Sequence, residues 1–213
     1  IQGKAIMLTG TNPDDPCSVA ATILDGTGYT GRALTISSSC GPDTVINGLT
    51  FANYRWSFSD RLPPPDPGDD GYFGWDIWGG AIYVASGARP IIANCRIVDC
   101  QISGSDASGG NNGANVGDPT DPDDPASPPW TVGQYGGRGG DGGSAYGGGI
   151  YCAPFSGPAI KGCTILRSNA IAGNAGDAGA GGNSIGQGDN RLAGDGGDGG
   201  HAGGQAADGH RGR

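Results

Sequence analysis

The stretch Gly147–Ile171 reads GGGIYCAPFSGPAIKGCTILRSNAI, and 68 positions earlier Gly79–Ser103 reads GGAIYVASGARPIIANCRIVDCQIS. The two stretches align without a gap. Their identical pairs are Gly79/Gly147, Gly80/Gly148, Ile82/Ile150, Tyr83/Tyr151, Ala85/Ala153, Pro90/Pro158, Ile92/Ile160, Cys95/Cys163 and Ile97/Ile165. The chain therefore contains an internal repeat, and a repeat of this size is typical of solenoid proteins.

Looser copies of the repeat precede these two. Thr44–Phe51 aligns with Pro90–Ile97, and Ala33–Ile36 aligns with the segment GGAIYV. Lys4–Leu8, followed by Ala21–Gly26, forms the earliest copy. The sequence thus holds about four copies of one unit, and we therefore expect about four coils.

Each copy contains two or three runs of three to five residues in which apolar and polar side chains alternate. The runs are rich in β-branched residues and are broken by Gly, Pro or Asn, as short strands are. Copies that lie on one another about 4.8 Å apart satisfy both their backbone hydrogen bonds and their like side chains. We therefore predict an all-β fold, a right-handed parallel β-helix (β-solenoid) of about four coils.

The motif GGGIYC, followed by Pro-x-Ile and then Asn-Cys-x-Ile, resembles the right-handed parallel β-helix repeats of bacterial secreted and surface proteins, the pectin-lyase-like superfamily. The segment Gly79–Ile82 is also similar to the repeat motif of chlamydial polymorphic outer-membrane proteins. The chain departs from the pattern at Gly162, where the sister copy has Asn94. The resemblance implies the fold and carries over no catalytic residue.

The composition limits the class of protein. All 21 acidic residues are Asp, Gly occupies 46 of 213 positions, and the net charge is −9. Without Glu and with one Met the chain lacks helix formers, so we expect strands and coil. The negative charge argues against a nucleic-acid partner, and no apolar run is long enough to span a membrane.

The repeat also predicts the domain organisation. We expect a parallel β-helix over residues 1–171, with insertions at 54–78 and 104–146 that leave the same corner of the coil. A glycine-rich tail over 172–213 follows, in which Gly recurs at every third position of Gly173–Gly182 and of Gly194–Gly203. Three is the residue period of an extended polyproline-II helix, so the tail resembles a polyglycine-II layer. We expect it to pack on the flank of the solenoid or on a neighbouring subunit.

The six cysteines favour disulfides and an extracellular location, because their number is even and they lack CxxC spacing. Cys17 with Cys40 is the pair that we expect first. Cys95 and Cys163 should stack on neighbouring rungs, at a spacing that permits a bridge without requiring one. The alternative is that the cysteines are buried free thiols. The two that remain are Cys100 and Cys152.

Aromatic residues are concentrated in the first insertion. Trp56, Tyr72, Trp75 and Trp78 would form a surface for carbohydrate or protein if they are exposed, or a small satellite core if they are not. Both interpretations remain open at the level of the sequence.

Catalytic and metal-binding signals are weak. Asp99 aligns with Arg167 and predicts an ion pair across rungs rather than a catalytic group. The segment Gly188–Gly194 is like one imperfect copy of a calcium-binding nonapeptide, and a Ca²⁺ site would use oxygen ligands. The candidate ligands are Asp177, Asp189, Asp195 and Asp198.

The predicted function follows from the ends of the solenoid, for which the sequence shows no amphipathic cap. Open ends expose unpaired backbone groups and apolar rungs. We therefore expect a secreted structural protein rather than an enzyme, with no resident cofactor, that self-associates end to end into a filament or surface layer. The alternatives are an adhesin that binds carbohydrate and a polysaccharide lyase or hydrolase.

Overall fold

A computed structural model describes residues 1–58, 66–113 and 135–181, together with the backbone of strand 205–206. These residues form short strands and one short helix. The strands are β1 Met7–Thr9, β2 Ile23–Asp25, β3 Leu34–Ile36, β4 Val45–Asn47, β5 Thr50–Ala52, β6 Arg55–Ser57, β7 Ile77–Trp78, β8 Ile82–Val84, β9 Ile91–Ala93, β10 Arg96–Val98, β11 Gln101–Ser103, β12 Ala145–Tyr146, β13 Ile150–Cys152, β14 Ala159–Lys161, β15 Thr164–Leu166, β16 Asn169–Ile171 and β17 Gln205–Ala206; the helix, α1, is Pro16–Ala21.

The strands stack in five parallel sheets. Sheet 1 has the order β1-β4-β9-β14, sheet 2 β2-β5-β10-β15, sheet 3 β6-β11-β16, sheet 4 β7-β12-β17 and sheet 5 β3-β8-β13. The chain visits the sheets in this numerical order and then returns to sheet 1, except that the first coil passes from sheet 2 directly to sheet 5. The described residues are therefore all-β with almost no helix, and their solenoid-like stacking confirms the coarse fold prediction.

The register of the sheets matches the alignment of the repeats. Ile82 pairs with Ile150, and Ile46 pairs with Ile92. The looser copies follow the same rule, since Leu8 pairs with Ile46 in sheet 1. Like side chains thus lie over like side chains on successive rungs, as the sequence predicts.

Two apolar cores lie between the sheets. The main core lies between sheets 1, 2 and 5, where Ile46, Phe51 and Ile82 are fully buried. A smaller core lies between sheets 3 and 4, around Ile77 and Ile102. Each fully buried side chain of this size contributes about 1.5–3 kcal/mol, so the inward columns hold the rungs together.

The corner between sheets 1 and 2 explains the departure from the repeat motif at Gly162. Gly48, Asn94 and Gly162 occupy equivalent positions on successive rungs, and their φ angles are 69°, 50° and 61°. Gly adopts this left-handed conformation freely, and Asn tolerates it better than most residues. The exchange of Asn for Gly therefore preserves the turn.

The helix α1 corrects the expectation of strands and coil alone. Asp15 caps its first turn, because the carboxylate accepts hydrogen bonds from the N–H groups of Cys17 (3.1 Å) and Ser18 (3.1 Å). Pro16 occupies the first turn, where its missing N–H costs nothing. The sequence Asp15-Pro16 is thus the local signal for the start of a helix, which the overall composition does not reveal.

Long excursions leave after sheet 3 and return through sheet 4, and their described parts pack side by side. The segments 69–77, 104–113, 136–144 and 173–180 form what we call the glycine bundle. Backbone N–H groups donate at every third residue, as at Gly137, Gly140 and Gly143, which bond the carbonyls of segment 104–113. Strands β6 and β7 lie within 54–78, the segment interpreted as an insertion.

Glycine is required inside this bundle because the backbones approach very closely. A Cβ at Gly140 would overlap the carbonyl of Tyr72, and one at Gly176 would overlap the carbonyl of Ser108. Asp and Asn side chains bond the outer N–H groups, as Asp76 accepts from the Ser144 N–H (2.6 Å). The three-residue period of glycine in the sequence thus reflects backbone contact between neighbouring segments.

The six cysteines, all within the described residues, are free thiols. The predicted bridge between Cys17 and Cys40 is therefore absent. Cys17 is exposed on α1, whereas Cys40 is buried beside the carbonyl of Ile1. Cys100 is buried and bonds the carbonyl of Val98 (3.4 Å). Cys152 is exposed on β13.

Candidate functional site

The last rungs of sheets 1 and 2 form an exposed apolar surface, which we call the upper end. Ile92 and Ile97 are 0% exposed, whereas Ile160 and Ile165, which pair with them on the next rung, are 43% and 39% exposed. Among the described residues, β14 and β15 each pair with a strand on one side only. The upper end therefore presents core side chains together with open backbone groups.

The opposite surface, the lower end, begins with β1 and β2. Leu8 and Leu24 are the inward residues of these strands and are only partly buried against the main core. Each strand is at the edge of its sheet in the described part of the chain. Both ends of sheets 1 and 2 thus expose the pairing groups of a strand.

The corner between sheets 2 and 3 carries the predicted ion pair. The Arg167 guanidinium donates to both carboxylate oxygens of Asp99, at 2.6 and 2.8 Å. These hydrogen bonds hold the pKa of Asp99 below its usual value. Both residues are exposed and have positive φ angles, which identifies the pair as a cross-rung contact at a turn. The prediction is confirmed.

A chain of aromatic contacts, which we call the aromatic belt, begins at Trp75 in the glycine bundle. Trp75 contacts Phe58 with 6.5 Å between ring centroids, and Phe58 contacts Trp56 at 5.7 Å. The guanidinium of Arg32 lies 4.2 Å from the centroid of Trp56 and 4.7 Å from that of Tyr83. Arg32 therefore joins the bundle side of the belt to the solenoid by cation–π contacts.

The belt continues on the outer faces of sheets 4 and 5. Tyr83 stacks on Tyr151 at 5.7 Å, and Trp78 stacks on Tyr146 at 6.3 Å. Tyr151 lies within 6.5 Å of both Trp78 and Tyr146, so the two columns are one cluster. Gly79 makes the tight turn between sheets 4 and 5, with a φ of 72°, and thereby brings the columns together.

The structure divides the predicted aromatic surface. Trp56, Trp75 and Trp78 belong to the belt, with Trp75 58% exposed. Trp56 is instead half-buried against the smaller core, as the satellite-core alternative predicts for it. Tyr72 is an exposed side chain of the bundle segment 69–77 and has no ring contact among the described residues.

Sequence reasoning missed the other members of the belt. Tyr83 and Tyr151 are an identical pair of the repeat. This identity could have predicted their contact, because identical outward residues stack on successive rungs. Arg32 carried no comparable signal, since its ring contacts come from other strands. The additional residues are Arg32, Tyr83, Tyr146 and Tyr151, whereas Phe58 is one of the aromatic residues of the first insertion.

Cys95 and Cys163 stack on neighbouring rungs as predicted, without a bond between them. The neighbouring Cys95 thiol lowers the pKa of Cys163 to about 7, and Cys163 in turn raises the pKa of Cys95. Cys163 is on the outer rung and only partly buried, whereas Cys95 is buried. Cys163 is therefore the thiol of the pair that ionises first.

The candidate metal ligands do not come together in the described residues. Asp177 is exposed on the glycine bundle, and its carbonyl accepts from the Gly110 N–H (2.9 Å). Asp189, Asp195 and Asp198 lie outside the described residues. Within the described ranges no three His, Cys, Asp or Glu side chains form a group that could hold a metal ion.

Comparisons with known proteins do not assign this chain to a family. The chain matches no protein-family model, no curated protein and no solved structure. In the described parts of the chain, no helix has the length and apolar character that crossing a membrane requires. The resemblance to pectin-lyase-like repeats therefore depends on the sequence motifs and the stacked parallel sheets.

Proposed function

We propose that this protein is a secreted structural protein, a subunit of an extracellular filament or surface layer, and not an enzyme. In this proposal a right-handed solenoid of about four coils stacks end to end with further copies. The observation that carries it is the upper end, where Ile160 and Ile165 continue two fully buried columns and are themselves about two-fifths exposed.

The chemistry of the two ends supports this arrangement. At the upper end β14 is the open edge of sheet 1, and at the lower end β1 is the other open edge of the same sheet among the described strands. A second copy that places β1 on β14 would extend sheet 1 in parallel and cover Ile160 with Leu8. Contacts of this head-to-tail kind do not close, so they generate a filament.

Electron microscopy and sedimentation of the purified protein test the proposal. We expect filaments whose length grows with protein concentration. Replacing Ile160 and Ile165 together by Lys should yield monomers, because a charge buried at the junction is costly unless it is paired.

Thr164→Glu is the matched control for this experiment. Thr164 lies in the same strand as Ile165 and pairs with Arg96 on the rung below, so the introduced carboxylate faces a cation rather than an apolar column. This variant should assemble like the original protein. Monodisperse monomers of the original protein at high concentration would refute the proposal.

A further inference from the structure

We propose that Tyr83 and Tyr151 form a site of covalent modification, at which one-electron oxidation joins the two phenols into an intrachain dityrosine. The link would tie β13, on the outer rung of sheet 5, to β8 on the rung below it. The proposal concerns the lateral surface of the solenoid and does not depend on end-to-end assembly, because both tyrosines belong to the same chain.

The register of sheet 5 holds the two rings together. Tyr83 pairs with Tyr151 in neighbouring parallel strands, which lie about 4.8 Å apart. The ring centroids are 5.7 Å apart, and the ring planes are inclined by 20°. Because the backbone hydrogen bonds of the sheet fix both strands, two radicals formed on these rings remain side by side and couple with each other.

The surroundings of the pair limit the choice of coupling partner. Thr35 pairs with Tyr83 on the side away from Tyr151, so this column contains two phenols. The other contact of the Tyr83 ring is the guanidinium of Arg32, at 4.7 Å from the ring centroid, and a guanidinium cannot couple with a tyrosyl radical. Tyr151 also contacts Tyr146 at 6.4 Å, but those planes are inclined by 50°. The stacked geometry therefore favours Tyr83 as the partner of Tyr151.

A neighbouring indole gives an oxidant access to the pair. Tyr83 and Tyr151 are only partly exposed, whereas Trp78 is 37% exposed and lies 6.5 Å from Tyr151 between ring centroids. Indole and phenol radicals exchange electrons across ring contacts of this length. An oxidant that meets Trp78 at the surface can therefore draw an electron from Tyr151.

The oxidant that we infer is hydrogen peroxide, used by a haem peroxidase. Burial raises the pKa of Tyr151, with smaller contributions from Tyr83 and Tyr146, so the phenol is protonated at neutral pH. Each phenol gives one electron and its hydroxyl proton and becomes a neutral radical.

The two radicals then form one carbon–carbon bond between ring positions next to the hydroxyls. Each of these carbons releases its hydrogen as a proton, and each oxygen takes one up, which restores both phenols. The two electrons and two protons lost overall reduce one peroxide molecule to two molecules of water.

Mass spectrometry of the peroxidase-treated protein tests the proposal. Unlabelled and heavy-isotope-labelled chains are mixed before treatment, and accessible thiols are first blocked with iodoacetamide because thiols reduce tyrosyl radicals. We expect a cross-linked peptide pair that contains Tyr83 and Tyr151 and has lost two hydrogen atoms. Its two halves should always carry the same label, whether or not the protein forms filaments.

Two conservative variants show which phenols react. Tyr83→Phe keeps a ring in the stack and removes one phenol, so it should abolish this peptide pair. Tyr146→Phe is the matched control, because it removes a phenol from the same cluster and should leave the cross-link unchanged. Circular dichroism of each variant would show whether the fold is retained.

The cross-link should also stabilise the fold. It closes a long loop in the unfolded chain, so treatment should raise the urea midpoint of the original protein and leave that of Tyr83→Phe unchanged.

Four results would overturn the proposal. The folded protein could yield no cross-link at Tyr83, or the label could be mixed within the pair, which would assign the link to contacts between chains. Folded Tyr83→Phe could retain the yield of dityrosine at Tyr151. Tyr151 could instead be joined to Tyr146, which would show that stacking does not select the partner.

Discussion

Gly143 lies buried in the glycine bundle, and its backbone joins two neighbouring segments. Its N–H donates to the Ser105 carbonyl at 3.0 Å, and its carbonyl accepts from the Gly173 N–H at 2.8 Å. A Cβ at this position would overlap the carbonyl of Trp75. Gly143→Ala therefore forces the segment of Gly143 away from that of Trp75. Gly143 cannot move without weakening its bonds to Ser105 and Gly173, and the Trp75 carbonyl accepts from the Ser105 N–H.

The expected loss of stability can be worked from these contacts. Separation leaves about two buried backbone groups without partners, at about 1–3 kcal/mol each. Alanine restricts the unfolded chain and returns about 0.4–1 kcal/mol. Because the first effect is larger, Gly143→Ala should lower the free energy of unfolding of the bundle by about 1–6 kcal/mol.

Gly41→Ala is the control for this prediction. No atom lies within 4 Å of a Cβ built on Gly41, and its φ lies outside the left-handed region. This variant should be neutral or slightly stabilising. Hydrogen exchange measured by mass spectrometry should show lost protection at the amides of Gly173 and Gly176 in Gly143→Ala only. Equal protection in the two variants would refute the close packing inferred for the bundle.

Three further predictions test the corners and the thiols. Asp99→Asn should lower the urea midpoint at neutral pH. Because the pKa of Asp99 is lowered in the folded state, the pair with Arg167 stabilises the protein above pH 3.8, and this difference should vanish as the pH falls through the folded-state pKa. Phe155→Gly should raise stability by up to about 1 kcal/mol, because the exposed Phe155 has a φ of 63° that glycine adopts without strain. Alkylation of Cys163 by iodoacetamide should follow an apparent pKa of about 7, and Cys95→Ala should move that value upward because it removes the neighbouring thiol that lowers it.

Each of these has an outcome that contradicts it. An Asp99→Asn effect that persists in acid would assign the loss to packing at the turn. A Phe155→Gly variant of lower stability would show that the ring makes stabilising contacts. An alkylation profile of Cys163 that is unchanged by Cys95→Ala would show that Cys95 does not lower the pKa of Cys163.

The sequence predicted much of the fold because the repeats encode the register. Ile82 and Ile150 align in the sequence and pair in sheet 5. Strands β6 and β7 were not predicted, since they lie beyond Phe51, where the looser copy of the repeat ends, in a segment rich in Pro and Asp. Disulfides were predicted from an even number of cysteines, and a count carries no information on distance.

The amino-acid sequence by itself determined which residues stack on one another, because a repeat places the same side chain at the same point of every rung. It also determined the spacing of glycine, since backbones in contact leave no room for a Cβ. Only the tertiary structure decided that Arg32, Trp56 and Tyr83 meet, because Arg32 precedes β3 while the rings lie in β6 and β8, without a common repeat position. The same holds for the glycine bundle, whose pairing depends on how each excursion leaves sheet 3 and returns to sheet 4.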